Sequence, residues 1–114
     1  MELWTIEIEK AAMILKLLGD KTRLTMLKML EAHDYCVCEF VEIFKVSQPA
    51  ISQHVKKLKE AGLVCETRRS QWIIYSLNRD SDILPFVQRL MDHLPNQDFK
   101  LQQLEKQGLR ISCE

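Results

Sequence analysis

The stretch Val46-Ser-Gln-Pro-Ala-Ile-Ser-Gln-His-Val-Lys-Lys-Leu-Lys-Glu-Ala-Gly-Leu63 carries its own start and stop signals for a helix. Ser47 is a good N-cap, its hydroxyl able to accept a bond from an orphaned backbone N–H. Pro49 falls in the first turn, where a missing N–H costs nothing. Val46 and Ile51 occupy the two positions of a hydrophobic staple, and Gly62 suits a left-handed residue just past the end, so the helix stops near Ala61. At 100° per residue Ile51, Val55 and Leu58 share a narrow arc, while Pro49, Gln53, Lys56, Lys57 and Glu60 lie opposite. One side packs and the other is polar.

That polar side begins with amides and hydroxyls and ends in ammonium groups, the order expected of a helix that reads base edges first and holds phosphates further on. Gln pairs bidentately with adenine and Ser bonds several base edges, so Gln48, Ser52 and Gln53 are candidate major-groove contacts, and Ser47 and His54 of the same stretch are counted with them as DNA-binding residues. Lys56 and Lys57 would position without specifying. An ordinary solvated amphipathic helix has the same pattern, so the flanking elements decide.

Upstream, a short helix over about Cys36 to Phe44, with Phe40, Ile43 and Phe44 inward, ends three residues before the polar helix. A connection that tight makes a helix-turn-helix with the polar helix as its recognition element. Downstream, Leu63 to Thr67 and Trp72 to Leu77 are β-branched and aromatic, and they flank Arg68-Arg-Ser-Gln71. This predicts a hairpin with a basic tip, a wing from which Arg68 and Arg69 reach phosphate or the minor groove.

The rest is helical. Asp20 caps a helix from Lys21 to about Glu31 with Leu24, Leu27, Met29 and Leu30 as its core side. A helix from about Leu3 to Leu17 and another from Asp82 to about Leu94, capped by Asp80 or Ser81, are apolar around much of their girth. A weaker helix over Gln97 to Gln107 is stopped by Gly108. The expected fold is mainly α with a small β-hairpin, a winged helix-turn-helix of four helices, two strands and a fifth helix, plus the short C-terminal helix. Two helices too apolar for one small core predict a homodimer, which also suits a palindromic double-stranded DNA site.

With 114 residues and 46% apolar content, the chain supplies one modest core, and no linker or repeat divides it. Residues 1–94 form the DNA-binding and dimerisation domain, and residues 95–114 a C-terminal helix and tail. The formal net charge is zero, which gives nucleic-acid binding no help, but from Ser47 to Arg69 five Lys or Arg stand against two acids. No apolar run reaches a membrane span and no signal-peptide pattern stands at the start, so the expected compartment is the cytoplasm.

Cysteines at 36, 38, 65 and 113 do not resemble a secreted disulfide framework. Cys36 and Cys38 are placed to act as soft-metal ligands at a helix start. Cys65, in an expected strand, reads as a small core residue, and Cys113 sits on the tail. An enzyme is not expected: no redox βαβ pattern surrounds the cysteine pair, and His33, His54 and His93 form no nucleophile–base set.

The element order, with Gly19-Asp-Lys-Thr-Arg23, Cys36-Val-Cys-Glu39 and Val46 to Val55, resembles the arsenic-repressor (ArsR/SmtB) family of bacterial winged-helix regulators over roughly residues 10 to 92. The resemblance implies a homodimeric repressor that leaves its operator when an inducer binds. In the arsenic-sensing branch the inducer trap is Cys-Val-Cys-x-x-Cys; Cys36 and Cys38 match its first two positions, and Val41 stands in place of the third. Cys113 is then the candidate third sulfur. The cadmium- and lead-sensing branch adds cysteines from an N-terminal extension, whereas no cysteine precedes Cys36. The zinc- and nickel-sensing branches space Asp and His ligands along the fifth helix, unlike the adjacent Asp92-His93. As(III) or Sb(III) is therefore the expected inducer, with no catalytic cofactor. The alternatives are a soft divalent metal such as cadmium or zinc, and thiol oxidation.

On a regular helix residues two apart point about 200° from each other, so a Cys36–Cys38 grip on one atom demands local distortion. Terminal turns have few intrahelical bonds to lose. A distorted entrance would then tilt the neighbouring recognition helix away from the angle the groove requires.

Overall fold

The computed structural model describes residues 5–106. Its elements are α1 (Ile8–Leu18), α2 (Lys21–Ala32), β1 (Tyr35–Cys36), α3 (Val37–Phe44), α4 (Gln48–Glu60), β2 (Val64–Arg69), β3 (Trp72–Leu77), α5 (Leu84–Met91) and α6 (Asp98–Lys106). This is the expected winged helix-turn-helix with one addition, the two-residue strand β1.

The caps explain where the helices begin. Asp20 accepts the Arg23 backbone N–H at 3.0 Å and opens α2, and Ser47 accepts that of Ala50 at 3.3 Å and opens α4, each contact stabilising its helix by about 1 kcal/mol. The helix-turn-helix connection is the three residues 45–47, in which Lys45 adopts a left-handed conformation (φ 58°) and donates to the Val41 carbonyl. After α4, Gly62 at φ 81° lets the Leu63 N–H return to the Leu58 carbonyl at 3.0 Å, a turn that a side chain at position 62 would strain.

The sheet order is β1-β3-β2, all antiparallel, with Tyr35 opposite Tyr75 and Cys36 opposite Ile74 on one side of β3. On the other side the register runs from Val64 opposite Leu77 to Arg69 opposite Trp72. The core gathers Ile14 and Leu18 of α1, Met26, Leu27 and Leu30 of α2, Phe40 of α3, Ile51, Val55 and Leu58 of α4, and Val87 and Met91 of α5. A half-buried pair ties α5 to α2: Lys28 Nζ lies 2.7 Å from Glu31 and 3.0 Å from the Met91 carbonyl, while Gln88 donates to the same carboxylate at 3.2 Å.

Four expectations need correction. Helix α1 begins at Ile8, residues 5–7 having no regular structure, and Leu3 and Trp4 lie outside the described residues. Arg68 and Arg69 belong to β2, so the turn is only Ser70 and Gln71, with Ser70 at φ 58°; the arginines flank the tip instead of forming it. Cys65 is exposed, because Val64 takes the inward position and strand alternation turns its successor outward. Helix α5 is shorter at both ends than Asp82 to Leu94, its approach fixed by the Ser81 hydroxyl accepting the Ile83 N–H at 3.3 Å. The expected helical stop at Gly108 lies outside the described residues. Among the described residues no helix is long and apolar enough to cross a membrane.

Candidate nucleic-acid interface and thiol segment

Burial of Ile51, Val55 and Leu58 at 2% exposure or less fixes the rotation of α4. The opposite side, Gln48, Pro49, Ser52, Gln53, Lys56 and Lys57, is therefore open to solvent, as is Ser47 at its head. Arg68 and Arg69 are also exposed, at the end of β2. Helix α4 packs on β2, and the Lys59 ammonium lies 3.1 Å from the Glu66 carboxylate. That pair removes Lys59 from the free cations and leaves Lys56, Lys57, Arg68 and Arg69 as the exposed basic groups of the helix and wing.

His54 is the exception among the DNA-binding candidates. Its side chain is a quarter exposed, its Nδ1 lies 3.3 Å from an Arg23 guanidinium nitrogen and 4.0 Å from Asp20 Oδ1. A guanidinium has donors only, so Nδ1 accepts. Arg23 also donates from Nε to the Leu17 carbonyl at 2.8 Å. The recognition helix is thus moored to the α1–α2 junction through a residue read from the sequence as DNA-binding. The stretch Gly19 to Arg23 contained both mooring partners, but their meeting with a histidine 31 residues later is a tertiary fact. The Asp20 carboxyl is held below its ordinary 3.8 by the Arg23 backbone N–H, opposed by burial and helped by the charge of Arg23.

The cysteine pair straddles a change of backbone conformation. Cys36 is the N-cap of α3 with extended dihedrals (φ −87°, ψ 160°), while Cys38 is the second helical residue. The regular-helix constraint of about 200° therefore does not apply, since Cys36 lies outside the helix. Its sulfur is not openly presented: Cys36 is 1% exposed and sits in β1 opposite Ile74, whereas Cys38 is half-buried. The buried Glu39 carboxylate accepts the Cys36 backbone N–H at 2.9 Å and fixes the first turn. Cys36 is disulfide-bonded; Cys38 and Cys65 are free thiols.

Helix α6 lies against α3, with Asp98 Oδ1 3.8 Å from His33 Nε2. Cys113 lies outside the described residues. Among those described, no group of three His, Cys, Asp or Glu side chains is arranged to hold a metal, and the free thiols are Cys38 and Cys65. Thiolates select soft ions over hard cations.

Against known families, residues 20–66 match the model described as bacterial regulatory protein, arsR family. The chain is 41% identical over 85 residues to an HTH-type transcriptional regulator of Methanocaldococcus jannaschii, an alignment covering 72% of this chain and 96% of the relative. It is 33% identical to an arsenical resistance operon repressor of Staphylococcus xylosus over 75% of this chain and 80% of that one. Among solved structures, reduced HlyU from Vibrio cholerae superposes with a TM-score of 0.65 at 30% identity, covering 75% of this chain and 85% of that one.

Proposed function

This chain belongs to the arsR family of bacterial regulatory proteins, and we propose that it is a metalloid-responsive repressor binding operator DNA as a homodimer and leaving it when As(III) or Sb(III) is ligated by Cys36, Cys38 and Cys113. Its relatives are transcriptional regulators, not enzymes. The single observation that carries the inducer assignment is the position of Cys36 and Cys38 at the entrance of α3, the helix that packs directly on the recognition helix.

In the DNA complex Ser47, Gln48, Ser52 and Gln53 contact base edges, and Lys56, Lys57, Arg68 and Arg69 hold phosphates. Dimerisation is supported by α1, which leaves Ile8, Met13 and Leu15 more than half exposed in the single chain. Each thiol that joins As(OH)3 exchanges an S–H for an S–As bond and releases one water, so three sulfurs release three. Cys36 is held in β1, and its ligation loads the β1–β3 pairing and the first turn of α3 together.

The bonded state of Cys36 favours a second reading, in which oxidation of the same thiol is itself a signal. The two readings make different predictions for reduced protein on a fluorescent promoter fragment. As(III) and Sb(III) release the DNA at lower concentration than Cd(II) or Zn(II) on the first reading. Release by peroxide, reversed by dithiothreitol, with no response to metalloid, replaces it with the second. No release by any of these agents refutes both.

A further inference from the structure

Helices α1 and α4 each pack on α2, and a cleft of about 370 Å³ lies between them. Its apolar lining includes Met13, Leu17 and Ala61, and its charged lining sets Lys16, Arg23 and Lys57 against one carboxylate, Glu60. That volume is at the lower end of small-molecule sites, about 300–1,000 Å³, which are likewise apolar with a few placed polar groups. Dimerisation through Ile8 and Leu15 leaves the cleft open. Met13 and Leu17 stand two residues either side of Leu15, so each points about 200° from it, onto the other side of α1. Arg23 is the fixed member of the charged set. Its Nε donates to the Leu17 carbonyl at 2.8 Å and a terminal nitrogen to His54 Nδ1 at 3.3 Å, engaging two N–H donors of a group that has five. The half-buried guanidinium is thus held before anything binds, and its planar fork matches a carboxylate through two parallel hydrogen bonds. Lys16 and Lys57 are exposed, with flexible stems that reach the same anion.

We propose that this cleft binds a small amphipathic carboxylic acid and that its occupation opposes DNA binding. The acid's apolar part lies against Met13, Leu17 and Ala61, and its carboxylate is held by Arg23, Lys16 and Lys57. A DNA phosphate would satisfy the cations but leave the apolar lining uncovered, which favours the acid. Lys57 is among the cations assigned to phosphates above, and a ligand carboxylate neutralises it. Arg23, drawn toward the ligand, loosens its bond to His54, the tie between α4 and the α1–α2 junction. Both effects fall on the recognition helix. The antagonism rests on the DNA contacts proposed above, whereas the site does not, and neither involves a thiol.

The probes are octanoate, its neutral amide octanamide and inorganic phosphate, titrated without arsenic into reduced full-length protein and followed by heteronuclear NMR. Octanoate is expected to shift the backbone signals of Lys16, Leu17, Arg23, Lys57 and Ala61 saturably. Octanamide should bind about tenfold or more weakly, the size of one lost hydrogen bond to a charged group. Lys16→Gln, outside the proposed DNA contacts, should weaken octanoate about threefold, the size of one surface charge pair, and leave the thermal midpoint and octanoate-free DNA affinity at parental values. Arg23→Lys keeps the charge but loses the fork, and weakens octanoate further. On a promoter fragment that the parent binds, saturating octanoate should raise Kd about fivefold or more. No saturable shift, shifts centred elsewhere, or equal binding of octanamide overturns the site. Phosphate that binds as well as octanoate overturns the acid and makes the cleft a seat for the DNA backbone. Saturation with octanoate that leaves the Kd for DNA unchanged overturns the antagonism. Failure of As(III) to release DNA counts against the thiol reading alone, because no arm of this experiment contains arsenic.

Discussion

Replacing Arg68 and Arg69 together by Gln should change the salt dependence of DNA binding by an amount that follows from the exposed charges. The chain presents Lys56, Lys57, Arg68 and Arg69 to solvent, while Lys59 is engaged by Glu66 at 3.1 Å. If every exposed cation neutralises one phosphate, the proposed homodimer makes about eight contacts, and at about 0.9 counterion per contact log Kobs falls against log salt with a slope near −7. Between 50 and 200 mM salt the parent then loses about four orders of magnitude in affinity. The double variant removes four contacts, so its slope is near −3.6 and its loss about two orders. Because phosphate contacts carry no sequence information, specific and random duplexes should weaken alike. Fluorescence anisotropy of a labelled operator across that salt range measures the slope. An unchanged slope in Arg68→Gln/Arg69→Gln would show that the wing does not touch DNA and would refute the charge accounting.

Three further outcomes are expected. Ile51→Ala, at a fully buried position of α4, should lower stability by about 2–5 kcal/mol in urea denaturation, and a loss under 1 kcal/mol would mean that α4 is not seated by this contact. Leu15→Glu, at a site 51% exposed, should leave helical circular dichroism intact but shift sedimentation from dimer to monomer; a dimer that survives would place the interface elsewhere. Asp20→Asn tests a titration. The Asp20 carboxyl is depressed below 3.8 by the Arg23 backbone N–H, against burial and with the help of the Arg23 charge, so the unfolded chain binds the proton more readily. Its stabilisation is present above 3.8 and is lost as pH falls through the folded value. Asn caps as well as Asp, so the variant should keep its neutral-pH stability and show a flatter fall in Tm below pH 4, which an unchanged acid limb would contradict.

Signals in the sequence are legible where the physics is local. Ser47, Pro49 and Gly62 marked α4, and the spacing of Ile51, Val55 and Leu58 gave its rotation, because caps and helical periodicity depend only on near neighbours. The hairpin strands were visible for the same reason. Strand β1 was not: two residues have no period, and Tyr35 and Cys36 become a strand only by pairing with Tyr75 and Ile74 about 40 residues away. The two-residue turn at Ser70 and Gln71 is not legible because Ser70 at φ 58° is not a usual left-handed residue, and the strands absorb the arginines expected at the tip. The outward position of Cys65 is not legible because the inward register of β2 is fixed only by its start at Val64. The contact of His54 with Arg23 is a tertiary fact that only the folded chain shows.

The thiol segment was half legible. The sequence placed Cys36 and Cys38 at the entrance of the helix before the recognition helix, and they stand there. It did not show that Cys36 is an extended, buried N-cap joined to the sheet. That joins its backbone to the sheet as well as to α3.

The most direct measurement is the operator Kd of reduced parent and Cys36→Ser proteins, by anisotropy, at zero and saturating As(III). The parent should weaken by about 5–150-fold, the usual range of site-to-site coupling, and the variant by less than about twofold, well outside that range. A parent still bound at saturation, or a variant released as readily as the parent, contradicts a switch built on this thiol.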